Sequence, residues 1–182
     1  MAVTQVAYEV EGWGVGELVA ADGRVVWHEL PWPRAGAAQV PSRTPTHPGH
    51  GAGRVVSRER SRGSSSFVSE VVQLLQAYFA GERVQLDEVP VDLEYESPFF
   101  DRCAVALRTI PRGETVSYGE LAALAGAPRA ARAAGTFCAR SHLSLFVPCH
   151  RVVAADGLGS YGSYGVAYKR RLLALEGCPD AL

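Results

Sequence analysis

The sequence predicts an α/β protein: a small N-terminal β-sheet with a helix over residues 1–92, then a mainly helical domain with a helix-turn-helix over residues 93–182. Three observations predict it. The stretch AYEVEGWGVGELVAADGRVVWHEL, residues 7–30, alternates apolar and polar side chains, as a half-buried sheet does. After Ser97 the apolar spacing becomes helical. Within that half, a serine cap, a glycine stop and a second helix start follow one another within a dozen residues.

In the first half, Asp22-Gly23 separates two alternating runs and reads as a hairpin turn. From about residue 31 to 66 the composition turns to Pro, Gly, Ser and Arg, ending RERSRGSSS, and too little apolar content remains to offset the entropy of ordering. A flexible loop is expected there. Its HxxH pair, His47 and His50, lacks a helix that would aim both rings at one ion and reads as solvated. SSSFVSEVVQLLQAYFAG then predicts a helix with a serine cap, apolar Phe67, Val71, Val72, Leu74, Leu75 and Phe79, and Gly81 as its stop. RVQLDEVPVDLEY, residues 83–95, is expected to return to the sheet as a strand.

In the second half, PFFDRCAVALRTIP gives a helix closed by Pro111. SYGELAALAG gives another, with Ser117 and Glu120 spaced as a capping box and Gly126 as terminator. PRAARAAGTFCA opens a third, with Pro128 expected at its first position. GVAYKRRLLALEG forms the last, ending at Gly177.

Charge and cysteine usage narrow the function classes. Residues 97–182 hold ten Lys or Arg against six Asp or Glu, a balance of +4, whereas the first half stands at −5. A basic half is compatible with a polyanionic partner or with a solvated arginine-rich surface. Cys103, Cys138, Cys149 and Cys178 form no CxxC pair, which argues against a zinc knuckle or a disulfide framework and suits a reducing compartment. No apolar run of membrane-spanning length and no export pattern appears, so a cytoplasmic location is expected.

Three features carry potential chemistry. In the third helix, Arg129 and Arg132 are expected on one face, while Ala130, Ala131 and Gly135 keep the surface low. Such a surface suits either close helix packing or contact with nucleic acid. In the last helix the charges oppose the macrodipole, with Lys169, Arg170 and Arg171 early and Glu176 in the final turn. Glu176 is either a surface accident or a carboxylate that orients a histidine. In VPCHRVV, Cys149 has His150 and Arg151 as neighbours, but consecutive side chains do not face one another. A buried structural cysteine and a reactive thiol remain equally open.

PCHRVV, preceded by SPFFDRCAVALRTIPRGETVSYGELAALAGAPRAARAAG and followed by a Gly-Tyr loop and KRRLLALEG, resembles the O6-alkylguanine-DNA alkyltransferase family, also called methylated-DNA–protein-cysteine methyltransferases. The resemblance implies single-turnover transfer of an alkyl group from O6 of guanine, or O4 of thymine, in flipped-out double-stranded DNA, without cofactor or metal, by a monomer. It makes Cys149 the acceptor, His150 its base through a water, Glu176 the residue that orients His150, and Tyr118 the group that stabilises leaving guanine. Arg132 becomes the finger that fills the duplex gap, with Arg129, Ala130, Ala131, Gly135 and Tyr118 against DNA. Val147, Pro148, Tyr161 and Ser163 wall the alkyl pocket, and Arg151 braces the turn. Two departures stand out: Ser141-His142 replaces the family's Asn-Pro, and Phe100 and Ala104 replace its usual Gln and Trp. A non-catalytic alkyltransferase-like lesion binder is the alternative, although such relatives lack the acceptor cysteine.

Overall fold

The computed structural model describes residues 3–33 and 62–178. Strands β1 (Val3–Val10), β2 (Gly14–Ala21) and β3 (Arg24–Trp32) form an antiparallel meander in that order. Asp22 and Gly23 both take positive φ, 49° and 75°, the pairing that lets a two-residue turn follow the twist of the strands it joins. The first hairpin, absent from the two-run sequence pattern, turns through Gly12 to Gly14. Gly14 has φ 110°, and a Cβ there would lie 2.0 Å from the Trp32 carbonyl oxygen, so only glycine fits beneath the end of β3.

Helix α1 (Arg62–Phe79) packs on β1 and β2 through Val68, Val71, Leu75, Tyr78 and Phe79, one buried stripe at helical spacing. It starts two residues before the serine run, and β3 extends through Trp32. The expected loop of about 31–66 is therefore shorter at both ends, and its centre, with His47 and His50, lies outside the described residues.

Residues 83–95 do not form the expected strand. Val25 N–H bonds the Pro90 carbonyl at 2.9 Å and Asp92 N–H bonds the Val25 carbonyl at 2.9 Å, a single bridge between Val25 and Val91. Pro90 has no N–H to carry a ladder further, and Asp87-Glu88 turns the chain immediately before it.

Helix α2 (Pro98–Arg108) follows the Ser97 cap; β4 (Val116–Ser117) leads into α3 (Tyr118–Leu124), whose capping box between Ser117 and Glu120 is present in full. Helix α4 (Ala131–Arg140) packs on α3, giving the helix-turn-helix. Pro128 is not its first residue. Ala130 N–H bonds the Ala127 carbonyl at 2.9 Å, so Pro128 sits second in a tight turn, where its fixed φ is equally suitable, and Arg129 precedes the helix. A single 3-10 turn at Cys149–Arg151 leads into β5 (Val152–Val153), which pairs in parallel with β4; α5 (Gly165–Leu175) closes the chain.

One hydrophobic cluster runs through both halves, from Tyr8 and Leu18 through Leu75 and Leu107 to Phe137, Phe146 and Leu172. Polar contacts cross the same boundary. His28 of β3 donates its backbone N–H to the His142 carbonyl at 2.8 Å, and its imidazole bonds Tyr8 Oη through Nε2 and the Ser144 carbonyl through Nδ1. No helix among the described residues is long and apolar enough to cross a membrane.

Candidate active site

Leu145, Phe146, Val147 and Pro148 are all buried, so the chain enters the 3-10 turn anchored from behind. Leu145 holds φ 70°, a conformation unfavourable for a branched side chain and stored immediately before the turn. Cys149 N–H bonds the Val147 carbonyl at 2.8 Å and Arg151 N–H the Pro148 carbonyl at 2.9 Å. In this turn Cys149 faces a cavity of about 190 Å³, and His150, fully buried, does not line it. Adjacent side chains diverge, as consecutive residues should.

The environment favours the Cys149 thiolate. The neighbouring Cys138 thiol lowers its pKa most; burial opposes this, and the Ser141 hydroxyl and the Lys169 ammonium add to the lowering. Lys169 is completely buried, its ammonium bonded to the carbonyls of Val152, at 2.6 Å, and Leu158. Burial lowers the Lys169 pKa, but its ammonium still adds positive potential at the sulfur.

Behind the turn, the carboxylate that opposes the α5 dipole has its partners. Glu176 Oε1 accepts from His150 Nε2 at 2.9 Å, Arg151 Nη2 at 2.8 Å and Tyr78 Oη at 2.7 Å, and Oε2 accepts from Arg151 Nε at 2.8 Å. Burial alone would raise the Glu176 pKa, but His150 and Arg151 outweigh it and hold the carboxyl well below its usual range. Burial lowers the His150 pKa against the pull of Glu176, so the resting imidazole is neutral. With Nε2–H donated to Glu176, Nδ1 carries the lone pair, and it has no hydrogen-bond partner among the described residues. Arg151 also donates to the Ile110 carbonyl at 2.6 Å, bracing the turn against the end of α2.

Tyr118 lines the same cavity as Cys149. The two-residue β4–β5 ladder fixes this geometry, because β4 ends at the residue before Tyr118 and β5 begins directly after the Cys149–Arg151 turn. Burial raises the Tyr118 pKa, which keeps its hydroxyl protonated. Val147, Tyr161 and Ser163 line the same cavity, together with Tyr164, so the Tyr-Gly repeat supplies two tyrosines to the wall. Pro148 does not line it. It faces a separate cavity of about 700 Å³ on the far side of the turn, beside Arg151 and Glu176.

Arg129 and Arg132 are exposed on the outer side of the helix-turn-helix, with Ala130 and Ala131 half-buried between them. Ala130 is the N-cap of α4 and offers no side-chain cap, so the positive end of the helix is open. Gly135 lies one turn further on, where a Cβ would come 3.8 Å from the Tyr118 ring. Arg132 and the Cys149 cavity are thus joined by a single helix.

Sequence reasoning missed two contributors. Tyr78 lay on the apolar face of α1 with nothing to separate it from core. Cys138, in the last turn of α4, gained meaning only from its position beside Cys149, whereas Ser141, the departure from the family's Asn, does bond toward the site by favouring the Cys149 thiolate. Among the described residues no group of three or more His, Cys, Asp or Glu side chains is placed to hold a metal ion.

The family model for the DNA-binding domain of 6-O-methylguanine DNA methyltransferase matches residues 98–178. A methylated-DNA–protein-cysteine methyltransferase of Mycobacterium tuberculosis is 50% identical over 109 residues, covering 59% of this chain and 64% of the relative's own length. One from Methanosarcina acetivorans is 41% identical over 117 residues, covering 63% of this chain and 72% of that protein. Among solved structures, Mycobacterium tuberculosis OGT in complex with DNA superposes with a TM-score of 0.69 at 33% identity, over 94% of this chain and 91% of that one. With a near-complete match to that structure and the PCHR turn set beside Tyr118 and Glu176, this chain belongs to the methylated-DNA–protein-cysteine methyltransferase family.

Proposed function

We propose that this chain repairs DNA by direct, stoichiometric transfer of an alkyl group, methyl foremost, from O6 of guanine to Cys149 after the damaged nucleotide has turned out of the duplex. The observation that carries this reading is the Cys149 thiol facing a small cavity, backed by a buried His150–Glu176 pair with a free imidazole lone pair.

His150 takes the thiol proton at Nδ1, relayed over one water, and Glu176 compensates the imidazolium that forms. The sulfur attacks the alkyl carbon; a carbon–sulfur bond forms as the carbon–oxygen bond breaks. The electron pair leaves on guanine, and the Tyr118 hydroxyl supplies the proton that neutralises it. The thioether product has no hydrolytic route back to thiol, so each chain acts once and needs no cofactor. That chemistry requires a reduced acceptor, in keeping with the cytoplasm.

DNA enters through the basic half of the chain. Arg129, Arg132 and the uncapped start of α4 present positive charge to phosphate, and Arg132 extends from the low Ala130–Ala131 surface into the space the nucleotide vacates. Val147, Tyr161 and Ser163 then enclose the base and its alkyl group, while Pro148 supports the turn from behind.

The test is intact-mass measurement after incubation with a duplex containing O6-methylguanine. One methyl group is expected on the wild-type chain, mapped to Cys149, and none on Cys149→Ser. Binding without any gain in mass would instead establish a lesion-binding protein.

A further inference from the structure

Cys138 neither accepts the alkyl group nor relays a proton in the proposed transfer, and its thiol, which favours the Cys149 thiolate, lies in the last turn of α4 on the wall of the cavity that Cys149 faces. Cys138 and Cys149 line the same cavity wall, and their mutual influence lowers the Cys149 pKa while raising that of Cys138, so the Cys138 thiol is the proton-holding member. The cavity reaches solvent at exposed Ser160 and Ser163, so a molecule of peroxide size can enter. Cys103 is fully buried on α2 and is not part of this wall.

We infer that Cys138 and Cys149 form an oxidisable dithiol site for hydrogen peroxide or another small hydroperoxide, with Cys138 resolving the sulfenic acid formed on Cys149. The Cys149 thiolate attacks one peroxide oxygen; the oxygen–oxygen bond breaks, and hydroxide leaves and becomes water, giving the sulfenic acid. The Cys138 sulfur, its proton passing to the departing oxygen, then attacks the sulfenic sulfur and expels a second water. Two thiols and one peroxide become one disulfide and two waters, the sulfurs oxidised and the peroxide reduced.

Closing the bond brings the two sulfurs of the shared cavity wall to about 2.05 Å. The motion falls on the C-terminal turn of α4, at the helix end, rather than on the anchored Val147–Pro148 segment. The disulfide protects the acceptor from irreversible sulfinic acid, and a thiol reductant restores it. The formation of this bond is independent of the proposed function; only its consequence, an acceptor withdrawn from alkyl transfer until reduced, rests on that reading.

The full chain, reduced and freed of reductant, is treated with hydrogen peroxide, its remaining thiols are blocked with iodoacetamide, and its mass and peptides are read. A loss of two hydrogens is expected, with a Cys138–Cys149 crosslinked peptide that dithiothreitol abolishes. Cys138→Ser should lose the crosslink and accumulate sulfinic acid at Cys149 under the same dose. A crosslink through Cys103, or equal sulfinic acid at Cys149 in both proteins, overturns the inference. Because the crosslink is read without DNA, a chain that forms it but accepts no alkyl group refutes the proposed function and leaves the dithiol standing.

Discussion

At the scale of single residues, Glu176 shows how an unfavourable position can be stabilised by its surroundings. A buried carboxylate at the wrong end of a helix dipole is costly, and three residues from two elements offset that cost: His150 and Arg151 of the Cys149–Arg151 turn and Tyr78 of α1. Tyr78 belongs to α1, so the N-terminal half reaches into the site. Its hydroxyl takes up part of the carboxylate's charge. Tyr78→Phe therefore leaves more of that charge facing His150 and raises the imidazole pKa, because an opposite charge favours the protonated form. The acid limb of the single-turnover rate against pH should move to higher pH, and folding stability should fall by about 1–3 kcal/mol for a lost hydrogen bond to a charged group. A pH profile that superposes on wild type, measured with a methylated duplex, would refute this account of Tyr78.

At the scale of elements, the α3–α4 unit separates binding from chemistry. Arg132 is exposed in the first turn of α4, and its removal should change folding stability by no more than about 0.5 kcal/mol, as at ordinary surface positions. Nucleotide extrusion costs a few kcal/mol, and losing even ~1.4 kcal/mol of compensating contact slows transfer about tenfold. Arg132→Ala should therefore slow transfer from an O6-alkylguanine duplex about tenfold or more while leaving transfer from the free base O6-benzylguanine near wild type. Equal slowing on both substrates would place Arg132 in the chemistry instead. This unit was legible in sequence because its signals are local: Ser117 and Glu120 lie three residues apart and Gly126 ends the helix they start. Asp22-Gly23 was legible for the same reason. Pro128 was misplaced because its fixed φ suits both a helix start and the second position of a turn, and residues 83–95 were misread because apolar alternation survives a proline that cannot carry a ladder. Tyr78 and Cys138 were invisible to any local rule. Their roles come from groups 98 and 11 positions away, on other elements.

At the scale of the whole molecule, His28 joins the sheet to the loop that carries Ser144 and Val147 toward Cys149. Burial lowers its pKa to about 4, although the Ser144 carbonyl favours the charged form. An unfolded histidine titrates near about 6.5, so between that value and about 4 the unfolded chain binds more protons than the folded one. The stability His28 confers as a neutral ring is therefore complete above about pH 6.5 and lost progressively as pH falls to about 4, on the order of 3 kcal/mol in all. His150, lowered in the same direction, adds to the slope; Glu176, held below its usual range, extends the loss to still lower pH. Because one core cluster spans both halves, this loss should appear as a single cooperative transition rather than as release of the sheet alone. His28→Gln keeps a side chain able to bond Tyr8 or Ser144 but removes the titration. Its denaturant midpoint should start below wild type at pH 7.5 and decline less steeply between pH 6.5 and 4. Parallel curves for the two proteins would mean that the buried imidazole does not couple the fold to pH, and a biphasic wild-type curve would mean that the halves do not unfold together.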